Sequence, residues 1–145
     1  MAEPNNRLLV KVASPEGLAF SAHATLLTLQ TADGVIQILP GHADLITALE
    51  PGEMVILDER QEEKVFALGE GFALIGANVI TILANFAEHD ASINEDAVAR
   101  AKSSAEEALR SAAAMTEAER EAQEFLLSKS IVELQVLNRR KHRKG

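Results

Sequence analysis

At about Asp90 the chain changes its hydrophobic period, and that change limits the fold more than any other feature of the 145 residues. Before it, apolar residues alternate or come in short runs, each stopped within a few residues by Gly, Pro or Asn. After Gly76 there is no glycine until Gly145, and no proline occurs beyond Pro51. Period two with frequent turn residues is the mark of short strands. An unpunctuated stretch with apolar residues three and four apart is the mark of helix. A β unit over 1–90 followed by an α unit over 91–145 is therefore expected.

Within the first unit Leu8, Val10 and Val12 alternate toward the turn cluster Ser14-Pro15-Glu16-Gly17. Phe20 to Gln30 is expected as one long strand, closed at Asp33-Gly34, a pair that favours a tight hairpin. Val35–Leu39 stops at Pro40-Gly41, Leu45–Leu49 stops at Pro51-Gly52, and Met54–Leu57 runs into the charged bend from Asp58 to Glu63. Val65–Leu68, Phe72–Ile75 and Val79–Leu83 complete the set, with Gly69-Glu70-Gly71 expected as a hairpin turn. Seven to ten short strands at this spacing predict an antiparallel sandwich or barrel.

In the second unit Ser92-Ile93-Asn94-Glu95 and Thr116-Glu117-Ala118-Glu119 both have the capping-box form. Val98, Ala101, Ala105, Ala108, Leu109 and Ala112 mark one helical face, and Ala118, Ala122, Phe125, Ile131, Leu134 and Leu137 mark another. Two helices of roughly 20 residues each, meeting near Met115-Thr116 in an antiparallel hairpin, are expected. Alanine favours the helix intrinsically. It buries little apolar area, however, and at ~25 cal/mol per Å² each alanine contact contributes little to docking. The arm is expected to be helical, weakly held and movable.

Charge and composition exclude several functions. The net charge of −8 divides into −9 over residues 1–90, −4 over 91–138 and +5 in the final Arg139-Arg140-Lys141-His142-Arg143-Lys144-Gly145. An acidic body of this kind repels nucleic acid and anionic lipid. The absence of cysteine rules out disulfides, thiolate metal sites and cysteine nucleophiles. Met1 to Asn6 has no basic segment leading into an apolar one, so no secretory signal is expected. No apolar run approaches the ~20 residues of a spanning helix, so a soluble chain with no direct membrane insertion is expected.

His23, His42, His89 and His142 stand at no metal-ligand spacing, so no metal is expected. Ser14, Ser21, His42 and Asp44 have no nucleophile-elbow motif around them. Gly69-Glu70-Gly71 lacks the lysine of a phosphate-binding loop. These readings point to a protein-binding module without catalysis, cofactor or nucleic-acid partner. A ligand-binding sandwich that dimerises through its arm is the alternative, and an enzyme ranks behind both.

The run Ile38-Leu39-Pro40-Gly41-His42-Ala43-Asp44-Leu45-Ile46-Thr47-Ala48-Leu49-Glu50-Pro51-Gly52 resembles the signature of the epsilon subunit of bacterial and plastid F-type ATP synthases, the counterpart of mitochondrial delta. Ser14-Pro15-Glu16 with Phe20-Ser21, then Gly71-Phe72, Asn78 to Ala84 and Ala87-Glu88, extend the resemblance along the chain. The resemblance implies a non-catalytic rotor subunit, peripheral on the cytoplasmic face of a bacterial inner membrane or the stromal face of a thylakoid. Its N-terminal unit would be a flattened antiparallel β-sandwich of about ten strands, binding the gamma subunit and the ring of c subunits through a loop region here formed by Asp33, Gly34, Pro40, Gly41 and His42. Its arm would reach the alpha and beta subunits and hinder ATP hydrolysis, with Arg110, Arg120, Lys129, Arg139, Arg140, Lys141 and Arg143 as candidate contacts.

Departures from the family pattern are specific. Val35 stands where an acidic residue is common, Gln37 where a glycine is usual, Asp44 in place of a proline and Glu50 in place of a lysine. Some members bind ATP on the arm through an I/L-D-x-x-R-A motif. Asn94 and Ala97 occupy its Asp and Arg positions here, which removes the guanidinium suited to a phosphate. Weak or no ATP binding is expected.

Overall fold

The computed structural model of the chain describes residues 6–111 and 114–144, the side chains of 18, 19, 143 and 144 excepted. Ten strands precede the helices: β1 (Leu8–Ser14), β2 (Gly17–Ala24), β3 (Leu26–Thr31), β4 (Gly34–Ile38), β5 (Leu45–Leu49), β6 (Gly52–Leu57), β7 (Glu63–Leu68), β8 (Gly71–Gly76), β9 (Val79–Ala84) and β10 (Ala87–His89). A 3₁₀ turn at Asp90–Ser92 leads into α1 (Glu95–Arg110) and α2 (Glu117–Lys144).

The strands curl into two layers. One has the order β10-β7-β6-β3-β4 and the other β5-β8-β9-β1-β2, joined at the single pairing of Thr31 with Leu49. Period-two burial explains the layering: Leu8, Val10 and Val12 of β1 and Ile80 and Ile82 of β9 point inward, against Leu27 and Leu29 of β3 and Met54 and Ile56 of β6. Across the core the Phe20 and Phe66 rings meet at 4.5 Å between centroids. Pairing is antiparallel except between β1 and β9, which run parallel from Leu9↔Val79 to Ala13↔Leu83. That pair joins segments far apart in sequence, so no turn chemistry signals it.

Two of the expected strand features differ in the structure. Phe20 to Gln30 is not one strand: it breaks at Thr25, where the chain leaves the β2 edge of one layer and enters β3 of the other. The Thr25 hydroxyl donates to the carbonyl of Leu57 at 3.2 Å, and its amide donates to the same oxygen at 2.8 Å, so the corner is pinned to the end of β6. Continuous apolar character does not reveal a change of sheet. Nor is Gly69-Glu70-Gly71 a hairpin turn, because β7 and β8 lie in different layers and are not paired. It crosses beside Asn85-Phe86, with the Gly69 amide donating to Phe86 O and the Asn85 amide donating to Glu70 O, each at 3.0 Å. A Cβ on Gly71 would overlap the Leu83 carbonyl, and one on Gly69 would overlap Asn85 and the Phe86 ring. The glycines permit a close crossing rather than a tight reversal.

The helices form the expected antiparallel hairpin, in unequal lengths of 16 and 28 residues. Ser92 is not the cap of α1: it belongs to the 3₁₀ turn, and the Asn94 side chain accepts the Ala97 amide at 3.0 Å instead. Thr116 does cap α2, accepting the Glu119 amide at 3.1 Å. Of the join between the helices, residues 112 and 113 (Ala112 of the expected stripe among them) lie outside those described. α2 lies on β6, β7 and the 3₁₀ turn, and α1 lies on α2.

Candidate interaction surfaces

The layer β5-β8-β9-β1-β2 buries one face in the core and leaves an apolar patch on the other. Ile46 of β5 pairs with Leu74 of β8, and Phe72 of β8 pairs with Leu83 of β9, so four large apolar side chains adjoin on three strands. Ile46 is 72% exposed and Phe72 55%, with Leu83 and Leu74 also open. An isolated exposed leucine is ordinary, but a contiguous apolar patch on one sheet face is the mark of a docking surface. The expected site residues did not include this patch. Its signal was legible: Leu45–Leu49, Phe72–Ile75 and Val79–Leu83 are apolar at both parities, as strands covered on both faces are.

The five expected loop residues divide between two turns. Asp33 and Gly34 form the tip of the β3–β4 hairpin, where Gly34 has φ 115° and the Thr31 hydroxyl donates to Gly34 O at 2.6 Å. The Asp33 amide donates to Thr31 Oγ1 at 3.2 Å, leaving the Asp33 side chain exposed. Pro40, Gly41 and His42 lie at the other end of β4, about 17 Å away for a five-residue strand at ~3.3 Å per residue. There the Gly41 amide donates to Asn78 Oδ1 at 2.7 Å, tying the turn to the β8–β9 hairpin. Half-buried His42 has its Nδ1 2.7 Å from the Ala43 carbonyl, so the imidazole is less free than an exposed turn residue would be. A shallow depression between this turn and the apolar patch is lined by Asp44, Ile46, Leu74, Val79 and Thr81. On the β4 edge Val35 and Leu39 are both exposed.

Of the stripe expected on α2, Leu137 is buried and Leu134 half-buried, but the contact with the sandwich is made by two residues the stripe passed over. Val132 and Val136 of α2 are buried against Val65 and Ala67 of β7 and against Phe86. Ala118, Ala122, Phe125 and Ile131 of that stripe are exposed, although Phe125 touches the Phe86 ring edge-on at 5.9 Å. On α1, Val98 and Ala105 are buried while Ala101 is exposed.

The basic end is engaged within the chain. Arg139 pairs with Glu53 of β6 at 2.9 Å, and the Glu53 side chain is only 10% exposed. Arg140 donates to the Asp90 carbonyl at 3.4 Å, and Lys141 pairs with Glu95 at the start of α1 at 2.7 Å. Lys129 lies 5.8 Å from the centre of the Phe86 ring. Arg110 and Arg120 are exposed at the facing ends of the two helices. The side chain of Arg143 lies outside those described. Asn94 is occupied as a helix cap, and Ala97 beside it is exposed.

One ionisable side chain is buried in the arm itself. Glu133 of α2 is 7% exposed, and burial pushes its carboxyl above the usual range. Lys129, one turn earlier, opposes that rise, and Glu88 of β10 adds to it.

Residues 7–90 match the family described as ATP synthase, Delta/Epsilon chain, beta-sandwich domain. Among solved structures, a chain of the Euglena gracilis mitochondrial ATP synthase, in a cryo-EM assembly of OSCP, F1 and c-ring, superposes with a TM-score of 0.73. The two are 19% identical, and the match covers 94% of this chain and 84% of that one. A chain of the Tetrahymena thermophila mitochondrial ATP synthase, from a central stalk and c-ring structure, matches at TM-score 0.50 and 14% identity, over 88% and 94% of the two chains. At such identities the likeness is one of fold, and in the first case it extends past the sandwich through the helical arm. The family match spans ten strands of the kind that the change of period predicts, and the chain belongs to the delta/epsilon family of ATP synthase subunits.

Proposed function

We propose that the chain is a non-catalytic rotor subunit of an F-type ATP synthase, coupling ion-driven rotation of the c ring to the catalytic head. The family match over residues 7–90 carries the reading, and the apolar patch on the family's own sandwich domain supports it. A subunit whose work is mechanical needs a surface that seats firmly on a neighbour. Ile46, Phe72, Leu74 and Leu83 offer the desolvated centre such an interface requires. We assign that patch, with the adjoining Pro40-Gly41-His42 turn, to gamma. The Asp33-Gly34 tip, far from the patch at the other end of β4, is assigned to the c ring. The relatives in fold come from assemblies described as OSCP/F1/c-ring and central stalk/c-ring, which supports a place for the chain in the stalk beside the c ring.

The arm is proposed to regulate ATP hydrolysis by leaving the sandwich and reaching alpha and beta. Its docking rests on a small apolar contact, chiefly Val132 and Val136, and on the Arg139–Glu53 ion pair near the surface. Both are of a size that rearranges without unfolding the sandwich. The subunit is placed at the membrane face that carries the catalytic head, held there by its partners. Among the described residues no helix is long and apolar enough to cross a bilayer.

The test is reconstitution with alpha, beta and gamma. Phe72→Glu on the intact chain is expected to abolish capture by gamma while leaving the sandwich folded by circular dichroism. Capture at the wild-type level would refute the assignment of the patch. Stopping the chain after Asp90 is expected to relieve inhibition of ATPase activity with gamma still bound. Equal activity with the intact and shortened chains would remove the arm's regulatory role.

A further inference from the structure

Three consecutive cations near the end of α2 each reach a different part of the molecule. Arg139 pairs with Glu53 of β6 at 2.9 Å, Arg140 donates to the Asp90 carbonyl of the 3₁₀ turn at 3.4 Å, and Lys141 pairs with Glu95 at the start of α1 at 2.7 Å. Adjacent helical residues point about 100° apart. One turn of α2 reaches all three because it lies in the corner where the sandwich, the 3₁₀ turn and α1 meet. The contacts divide by what they join. Arg139 ties the arm to the sandwich, whereas Arg140 and Lys141 tie the end of α2 to the segment where the arm begins. The two ends of the Arg139–Glu53 pair differ in their access to water. The Arg139 side chain is 67% exposed while paired, so a carboxylate arriving from solvent reaches it without waiting for the arm to leave. The Glu53 side chain is 10% exposed and has the parity of Val55, on the face of β6 that α2 covers. A docked arm that gives up Arg139 therefore leaves a largely covered carboxylate with one cation fewer, which disfavours the docked state. Lifting α2 returns that carboxylate to water.

We propose that Arg139, Arg140 and Lys141 form an ionic latch opened by exchange: an acidic segment of a partner takes these cations from Glu53 and Glu95, and the arm then lifts from the sandwich. The inference rests on the reading of a movable arm. The direction follows from differential affinity. A released arm offers all three cations to an acidic surface, while a docked arm offers them only by breaking its own pairs, so the acidic segment shifts the equilibrium toward release. Opening begins at the base of the arm, around residues 139–141, and not at the join between the helices. The same cations serve first within the chain and then outside it, so docking on the sandwich and capture by the partner exclude one another.

Hydrogen exchange of the intact chain at low salt tests this, with poly-L-glutamate as the acidic probe and poly-L-lysine as the control. Poly-L-glutamate is expected to lower protection of α2 roughly fivefold, the size of one partly covered ion pair, while β1 and β9 keep theirs. Poly-L-lysine is expected to leave the arm unchanged. The combined variant Arg139→Gln, Arg140→Gln and Lys141→Gln should start with low protection of α2 and show no response to the probe. Glu53→Gln, which leaves no covered charge behind, should respond less than the wild type. If the combined variant responds as the wild type does, the polymer acts elsewhere and the latch is overturned. If poly-L-glutamate co-sediments with the wild type and α2 keeps its protection, or if it does not bind at all, exchange does not release the arm; the latch is overturned while the movable arm stands. If α2 is as protected as β1 and β9 in every variant, with and without the probe, the movable arm itself is refuted.

Discussion

Val136 offers the most direct measure of how firmly the arm is held. The side chain is 1% exposed and packs with Val132 against Val65, Ala67 and Phe86. Val136→Ala removes two buried carbons, about 1.6 kcal/mol at ~0.8 kcal/mol each. A partly collapsed cavity brings the loss to about 2 kcal/mol. Since ~1.4 kcal/mol is a factor of ten, the docking equilibrium should weaken roughly thirtyfold. Alanine has the higher helix propensity, so the loss falls on docking and not on the helix. Amide exchange of the full chain reads it directly: protection over α2 near Val136 should drop roughly thirtyfold while Ile80 and Ile82 in β9 keep theirs. Val10→Ala is the control, because the same deletion in the fully buried β1 should lower protection of sandwich and arm together. If Val136→Ala lowers both regions equally, arm and sandwich unfold as one unit and the reasoning fails. If it lowers neither, the contact does not hold the arm.

Two further substitutions probe the frame and the basic end. Gly71→Ala should destabilise severely or prevent folding, because its Cβ would overlap the Leu83 carbonyl where neither backbone can move aside; a melting temperature within a few degrees of wild type would contradict that close crossing. Arg139→Gln should cost about 1 kcal/mol of arm docking, a modest figure because the Arg139 side chain is 67% exposed although its partner Glu53 is largely covered. The deficit, read as loss of α2 protection, should shrink with added salt, and a salt-independent deficit would point to packing of the arginine stem instead.

The arm illustrates how a helical stripe is read correctly in kind and only partly in position: Val98, Ala105 and Leu137 of the expected faces are buried, others are not. Periodicity finds the helices because 3.6-residue spacing is a property of the segment alone. Which stripe is covered depends on what lies opposite, and α2 has apolar residues on more than one side. Hence Phe125 and Ile131 are exposed while Val132 and Val136 dock. The capping pattern behaves similarly: Ser92 and Asn94 are both good caps, and the choice of Asn94 follows from the 3₁₀ turn that consumes Ser92. At the expected site, Asp33-Gly34 and Pro40-Gly41-His42 are correctly placed in turns. Their separation across the length of β4 is visible only once that strand is known to be straight and paired to β3.

What the sequence determined by itself is local. The switch from period two to an unpunctuated helical period divides the chain at about Asp90, the Gly and Pro clusters space the strands, and the lack of cysteine excludes disulfides and thiolate ligands. Side chains alternate or recur with the backbone's own repeat, so these readings require no knowledge of neighbours. Tertiary structure decided the change of layer at Thr25, the parallel pairing of β1 with β9, and the close crossing at Gly69–Gly71. It also brought Glu53 of β6 to Arg139 near the end of α2. Such contacts arise because burying the strands' inner faces fixes where every other residue must lie, and that demand belongs to the assembled core.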